Sequence, residues 1–288
     1  MRYFLLLWLL LFMVMPVMAC GEGRAARIIS LGPVNTENIY LLGAQERLVA
    51  NTDYCLWPEA ARAKAKIGSV LQINIEKIVA LRPDLILATG LSQPQQIEKL
   101  QGLGLKVVQF GQPSSFADIC AHFMELGRLV GLEARAARIV EEARARVTLT
   151  RQRVALLSPQ KVFLQVGLQP LFSAVEGSFT HDFIDLAGGI NIARRQSRGT
   201  VRLEKVIAEN PDVIIVAVMG SDRGMGARQR QRWLDLRVME AARQQRVHAL
   251  DPHLVCSPSP LTFADTLELM ARLIHPDVFR STALEERP

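Results

Sequence analysis

The chain has 288 residues, 49% of them apolar and 22% charged, with a formal net charge of +6. That length is enough for two domains of ordinary size, each burying its own core. So mild a basic surplus does not point to a nucleic-acid-binding role, since such proteins concentrate far more positive charge on one face.

The first twenty residues stand apart from the rest. Arg2 supplies a positive start, and Phe4 to Met15 is an unbroken apolar run of twelve residues. A spanning helix needs roughly 20, so this run reads as the core of a secretory leader covering residues 1–19. It ends in Val17-Met18-Ala19-Cys20, which resembles the bacterial lipobox, with Cys20 lipidated and starting a short tether over residues 20–26. Lipid chains at about 0.8 kcal/mol per buried methylene would hold the protein outside the cytoplasm on a membrane surface. Ordinary cleavage after Ala19, leaving a free Cys20, is the alternative.

From Arg27 the pattern alternates strand and helix. The strand Arg27 to Leu31 runs into a turn where Asn35 or Thr36 can cap a helix that Gly43 stops. Leu48-Val49-Ala50 is the next strand, and the loop Asn51 to Pro58 after it carries Tyr54, Cys55 and Trp57. Then comes a unit that occurs twice. Residues 74–87 recur as residues 202–215, with six of fourteen pairs identical and five more exchanging one aliphatic residue for another. Each copy reads as a helix with apolar residues at helical spacing, a Pro-Asp stop, and a short β-rich run suited to a strand buried on both faces. A helix around Gln95 to Gln101, a strand Lys106 to Phe110 and a helix Phe116 to Val130 complete a first lobe over residues 27–131.

Residues 132–157 hold no Gly or Pro and are rich in Ala, Arg, Glu and Leu, which favours one stiff helix between lobes. The second lobe, 158–288, repeats the plan. It has a strand Lys161 to Val166, a loop carrying Phe172, a helix through His181 to Leu186 and a stop at Gly188-Gly189. An arginine cluster, Arg194, Arg195, Arg198 and Arg202, precedes the second copy of the repeat. A strand Arg246 to Leu250, a Pro-rich loop Asp251 to Pro260 and a helix Leu261 to Leu273 follow. The fold class is therefore α/β, with two doubly wound parallel-sheet lobes joined by one long helix and a cleft between them.

The three remaining cysteines, Cys55, Cys120 and Cys256, form no CxxC pair; Cys120 reads as a small core residue, and Cys55 and Cys256 leave a cross-cleft disulfide or ligand contact open. The five histidines are scattered, without the three or four convergent ligands a bare metal ion needs. His181 or His253 could ligate a haem iron. No nucleophile–base pair or phosphate-cradling glycine loop supports catalysis.

In this order the segments resemble the helical-backbone (class III) substrate-binding proteins of bacterial ABC importers, the cobalamin and iron-siderophore binders. The resemblance spans 27–278. It rests on Arg27 to Pro33 with Asn35-Thr36-Glu37, on Tyr54 and Pro58, and on both Glu-Lys…Pro-Asp repeats. Val162 to Gly167 with Pro170 and Phe172, and Ala187 to Ile192, add to it. It implies a monomeric receptor that catalyses nothing, binds a metal chelate (ferric siderophore or cobalamin) and delivers it to a membrane permease with its ATPase. Ligand contacts fall on Pro33, Asn35, Tyr54, Trp57 and Phe172, with Arg195 and Arg198 seating anionic oxygens. Glu76 and Glu204, matching positions in the two repeats, align with the surface glutamates that meet permease arginines. Where the cobalamin-binding member places cleft tryptophans, this chain reads Ser69-Val70-Leu71 and Gly199-Thr200. Haem is the alternative guest; a chelate-processing enzyme or an adhesive lipoprotein are alternatives from other classes.

Overall fold

The computed structural model describes residues 25–69, 71–196, 198–218 and 224–279, so the leader and Cys20 lie outside the described residues. In chain order the elements of the first half are β1 (Ile28–Ser30), α1 (Pro33–Leu41), β2 (Leu48–Asn51), β3 (Ala65–Lys66), α2 (Ile75–Ala80), β4 (Leu85–Thr89), α3 (Pro94–Gly102), β5 (Val107–Phe110) and α4 (Phe116–Leu129). The long helix α5 (Glu133–Val154) follows. The second half has β6 (Gln160–Gly167), β7 (Phe172–Ser173), α6 (Phe179–Leu186), β8 (Gly189–Asn191), α7 (Leu203–Glu209), β9 (Val213–Val216), α8 (Met225–Asp235), α9 (Glu240–Arg243), β10 (Val247–Ala249), α10 (Pro252–Cys256) and α11 (Pro260–Ile274). Among the described residues no helix is long and apolar enough to cross a membrane.

The first sheet is wholly parallel, in the order β3-β2-β1-β4-β5. Its strands send alternate residues to two cores. Ile28, Leu85 and Leu87 meet Ile39, Phe123 and Val140 of α1, α4 and α5, while Ile29, Ile86 and Ala88 meet Ile78 and Leu100 of α2 and α3. The second sheet runs β10-β9-β6, with the parallel β8 along the first half of β6 and the antiparallel β7 along its second half. The same alternation holds there: Val162, Leu164 and Ile215 face α5, α6 and α11, and Phe163, Ile214 and Val216 face α7, α8 and α9.

The duplicated unit has a structural task in each sheet. The Asp84 carboxylate accepts the backbone N–H groups of Ala26 and Arg27 at 2.7 and 3.0 Å, and Asp212 accepts that of Lys161 at 2.7 Å. Each repeat thus pins the start of its neighbouring central strand. Arg82 and Asn210, the residues just before the two prolines, both turn left-handed at φ 46° and 45°, and each helix ends ahead of its proline, where a helix cannot continue.

Two local expectations are corrected. Asn35 and Thr36 do not cap α1; both lie inside the helix, which begins at Pro33, pre-set for the first turn, with extended Gly32 as N-cap. Both side chains are buried: Asn35 Nδ2 donates to Ala88 O at 3.0 Å, and the Thr36 hydroxyl to Ser30 Oγ at 2.9 Å. Gly32 is required there, since a Cβ would lie 2.5 Å from Thr89 Cγ2. The Pro-rich stretch after β10 is likewise no simple loop. Asp251 accepts the His253 N–H at 2.9 Å and starts α10 with Pro252 in the first turn.

The halves are held together by more than α5. Phe263 of α11 stacks on Phe183 of α6 at 4.2 Å and on Phe116 of α4 at 4.6 Å. Beside this stack the Phe116 N–H donates to Asp182 Oδ2 at 2.8 Å, and burial pushes the Asp182 carboxyl above its ordinary range. Arg146 of α5 pairs with Asp265 of α11 at 2.5 Å.

Candidate functional site

The loops after β1, β2, β4 and β5 leave the carboxyl ends of parallel strands, where ligands bind in open α/β sheets. Those after β6, β9 and β10 do the same in the second sheet. Two cavities lie where residues from both halves converge. One, of about 150 Å³, is lined from the first half by Pro33, Asn35, Asn38 and His122, and from the second by Phe179 and Cys256. The other, of about 550 Å³, is lined by Glu37, Tyr40 and Trp57 on one side and by Asp251, His253 and Thr262 on the other. Helix α1 divides them, presenting residues 34, 35 and 38 to the first and 37, 40 and 41 to the second.

The larger cavity is crossed by a polar contact between the halves. His253 Nε2 approaches Glu37 Oε2 to 2.8 Å, and the Thr262 hydroxyl donates to Glu37 Oε1 at 2.5 Å. The histidine approach is close without being aligned as a hydrogen bond, and Oε2 has no aligned hydrogen-bond partner among the described residues. Burial by itself would raise the Glu37 carboxyl; the His253 and Thr262 contacts outweigh it and hold the group below its ordinary value. The Trp57 ring lies over the His253 ring at 5.4 Å, 21° from parallel. His253 is therefore already occupied by Glu37 and Trp57. His181 is tied at Nδ1, 3.2 Å from Asn191 Nδ2.

The residues expected to bind a guest are brought together only in part. Pro33 and Asn35 share the small cavity. Trp57 walls the larger one, stacked on His253. Tyr54 and Phe172 line neither: Tyr54 is 61% exposed after β2, and Phe172, 40% exposed, opens β7 at the carboxyl end of β6. Arg195 and Arg198 are exposed in the segment that returns to Phe172, where Thr200 bridges to it. Gly199 in that segment has φ +73°, and a Cβ on it would come within 2.4 Å of Phe172 Cζ, so glycine lets the ring lie across the backbone.

Glu76 and Glu204 are exposed in the first turns of α2 and α7. Cys55, Cys120 and Cys256 are all free, so no disulfide crosses the cleft. Cys55 is buried against the Thr52 hydroxyl at 3.2 Å, and burial pushes the Cys256 thiol up to about 12. Sequence reasoning missed Asn38 and His122. Asn38 sits on α1, which has no clear apolar face, and His122 on amphipathic α4; a polar residue on an inward helical face was the available signal. Among the described residues no group of three or more His, Cys, Asp or Glu side chains is arranged to hold a metal ion. Exposed rings and mostly apolar cavities suit a flat, partly apolar guest.

Comparison with known proteins agrees with this arrangement. The periplasmic binding protein family model matches residues 28–254. The vitamin B12-binding protein of Yersinia pseudotuberculosis is 34% identical over 196 residues, covering 67% of this chain and 70% of the relative. The crystal structure of the periplasmic vitamin B12-binding protein of Vibrio cholerae superposes with a TM-score of 0.74 at 26% identity, covering 87% of this chain and 96% of that one. A periplasmic haem-binding protein from Pseudomonas aeruginosa shares the fold, with a TM-score of 0.79 at 23% identity over 88% of this chain and 93% of its own. These are binding proteins rather than enzymes, and the chain belongs to the periplasmic binding protein family.

Proposed function

We propose that this protein captures a cobalamin-type corrinoid between its two halves and delivers it to an ABC permease. The observation that carries the reading is the 34% identity to vitamin B12-binding proteins, taken with solvent-exposed Tyr54 and Phe172 at the carboxyl ends of the two sheets. A planar macrocycle meets such rings face on, exchanging apolar surface for water at about 25 cal/mol per Å². Titration of the purified protein with cyanocobalamin, followed by calorimetry, is expected to give saturable binding of one molecule per chain. No measurable heat or co-elution at micromolar protein would remove cobalamin from consideration.

Haem, or a ferric siderophore, is the second reading. Exposed Arg195 and Arg198 in the segment behind Phe172 favour it, since guanidinium groups suit carboxylate or catecholate oxygens. Saturable haemin binding in the same titration, without cyanocobalamin binding, would select haem.

The delivery step uses Glu76 and Glu204 as one docking contact per lobe. Cys20, with its lipobox-like lead-in, anchors the receptor to the membrane outside the cytoplasm. Palmitate labelling in the native host is expected for the wild type and lost in Cys20→Ser; an unlabelled wild type would refute the anchor.

A further inference from the structure

Tyr54, Leu56 and Trp57, all large, apolar and exposed, crowd the tip of the loop that leaves β2. Apolar burial does little to fix such a tip, and a loop that orders only on binding weakens the complex. Polar bonds fix it instead, and one cation joins its parts. Lys66 lies in the edge strand β3, directly across from Asn51 at the end of β2. Its Nζ donates to Asn51 Oδ1 at 2.7 Å, Thr52 O at 3.3 Å, Cys55 O at 3.4 Å and Ala61 O at 3.4 Å. These four neutral oxygens belong to the start, the middle and the end of residues 51–61. Thr52 and Cys55 flank the turn that presents Tyr54, where the Cys55 N–H donates to Thr52 O at 3.1 Å. Asn51 Nδ2 reaches the same Ala61 oxygen at 3.0 Å. Nearby Lys64 is engaged elsewhere, its Nζ donating to Gln45 O at 2.9 Å.

We infer that Lys66 is a positioning residue for the guest, its ammonium tying both ends of the 51–61 loop to the turn between them, so that the Tyr54 and Trp57 rings stand in place before a guest arrives. The role rests on the reading above that a guest meets rings of this loop, and adds what sets their places. Lys66 lines neither cavity, so its effect passes through the loop. Without the ammonium, the Oδ1 of fully buried Asn51 loses its hydrogen-bond donor, and the turn at Thr52 and Cys55 is released from Ala61. Trp57 then loses its fixed approach to His253, and binding has to order the loop again.

The test uses the mature protein, whose tryptophans are Trp57 and Trp233, with Lys66→Met as the variant and Lys64→Met as the control. Acrylamide quenching of the emission reports Trp57, because Trp233 is buried. Lys66→Met is expected to raise the quenching constant about twofold and to weaken cyanocobalamin binding about tenfold, and Lys64→Met to change neither. Trace acetylation of the wild type gives a measurement independent of any variant's folding: the caged Lys66 amine is expected to label about fivefold less than that of exposed Lys99. Wild-type quenching or wild-type affinity in a folded Lys66→Met protein would overturn the role, as would Lys66 labelling as readily as Lys99. Failure of the wild type to bind cyanocobalamin, with the quenching change still present, would instead retire the corrinoid reading and leave the loop-setting role standing.

Discussion

Uptake by a Glu76→Ala, Glu204→Ala double variant is expected to fall to background, while its affinity for cyanocobalamin stays within about twofold of wild type. The two carboxylates occupy the same place in the two copies of the repeat, in the first turns of α2 and α7. Those helices cover the sheet faces opposite the α5–α11 side, so the acids project from matching places on the two halves. On the proposed delivery role, a two-fold permease needs one such contact per lobe, and losing both would remove the paired geometry that orients the receptor. Acids at helix starts also favour the helix dipole, but by only about 0.3–1 kcal/mol each, too little to unfold either half. Each single variant should retain partial uptake. Measuring labelled-vitamin uptake in cells alongside affinity on the purified variant separates docking from binding; normal uptake by the double variant would dismiss the docking role.

Truncation of Phe263 is expected to be the most damaging single change to the fold. Its ring is fully buried between Phe116 and Phe183, so Phe263→Ala removes two stacked contacts and opens a cavity where α4, α6 and α11 meet. Changes of this kind cost about 3–5 kcal/mol, which should lower the thermal midpoint by roughly 10 °C in a chain of this size. Leu156→Ala is the control, because that side chain is 99% exposed and its loss should stay within about 0.5 kcal/mol. Thermal melts of the three proteins decide the matter. A Phe263→Ala midpoint matching that of Leu156→Ala would mean the aromatic seam contributes nothing.

Much of the architecture is legible in the sequence because its signals are local and periodic. The fourteen-residue repeat, with its Pro-Asp stop, marks α2–β4 and α7–β9, and the absence of Gly and Pro marks α5. What escapes depends on distant partners or on very short elements. Strands β3 and β7 have two residues each and acquire their identity only from the strands beside them, at Ala50 and Asn51 and at Gln165 and Gly167. Helix α8 is mostly charged and polar, and only Trp233 and Leu234 among its apolar side chains are buried, so its pattern is too thin to read. The site is less legible still. Trp57 looks like a free cleft aromatic until His253, on the opposite half, takes its face. Glu37 gives no sign of its carboxylate meeting Thr262, 225 positions away. Asn35 reads as a cap and is instead a buried link from α1 to β4.

Helix α11 comes after both sheets in chain order, yet its Phe263 sits against α4, and its Asp265 against α5. A polypeptide emerging from its amino end therefore presents Phe116 of α4 and one face of α5 still uncovered. Only the outer side of α4 and α5 waits for the late half, and during that interval exposed phenylalanine surface invites association with other chains. Folding helpers met during export would act at this stage, and removal of α11 should leave two sticky halves rather than one sound lobe.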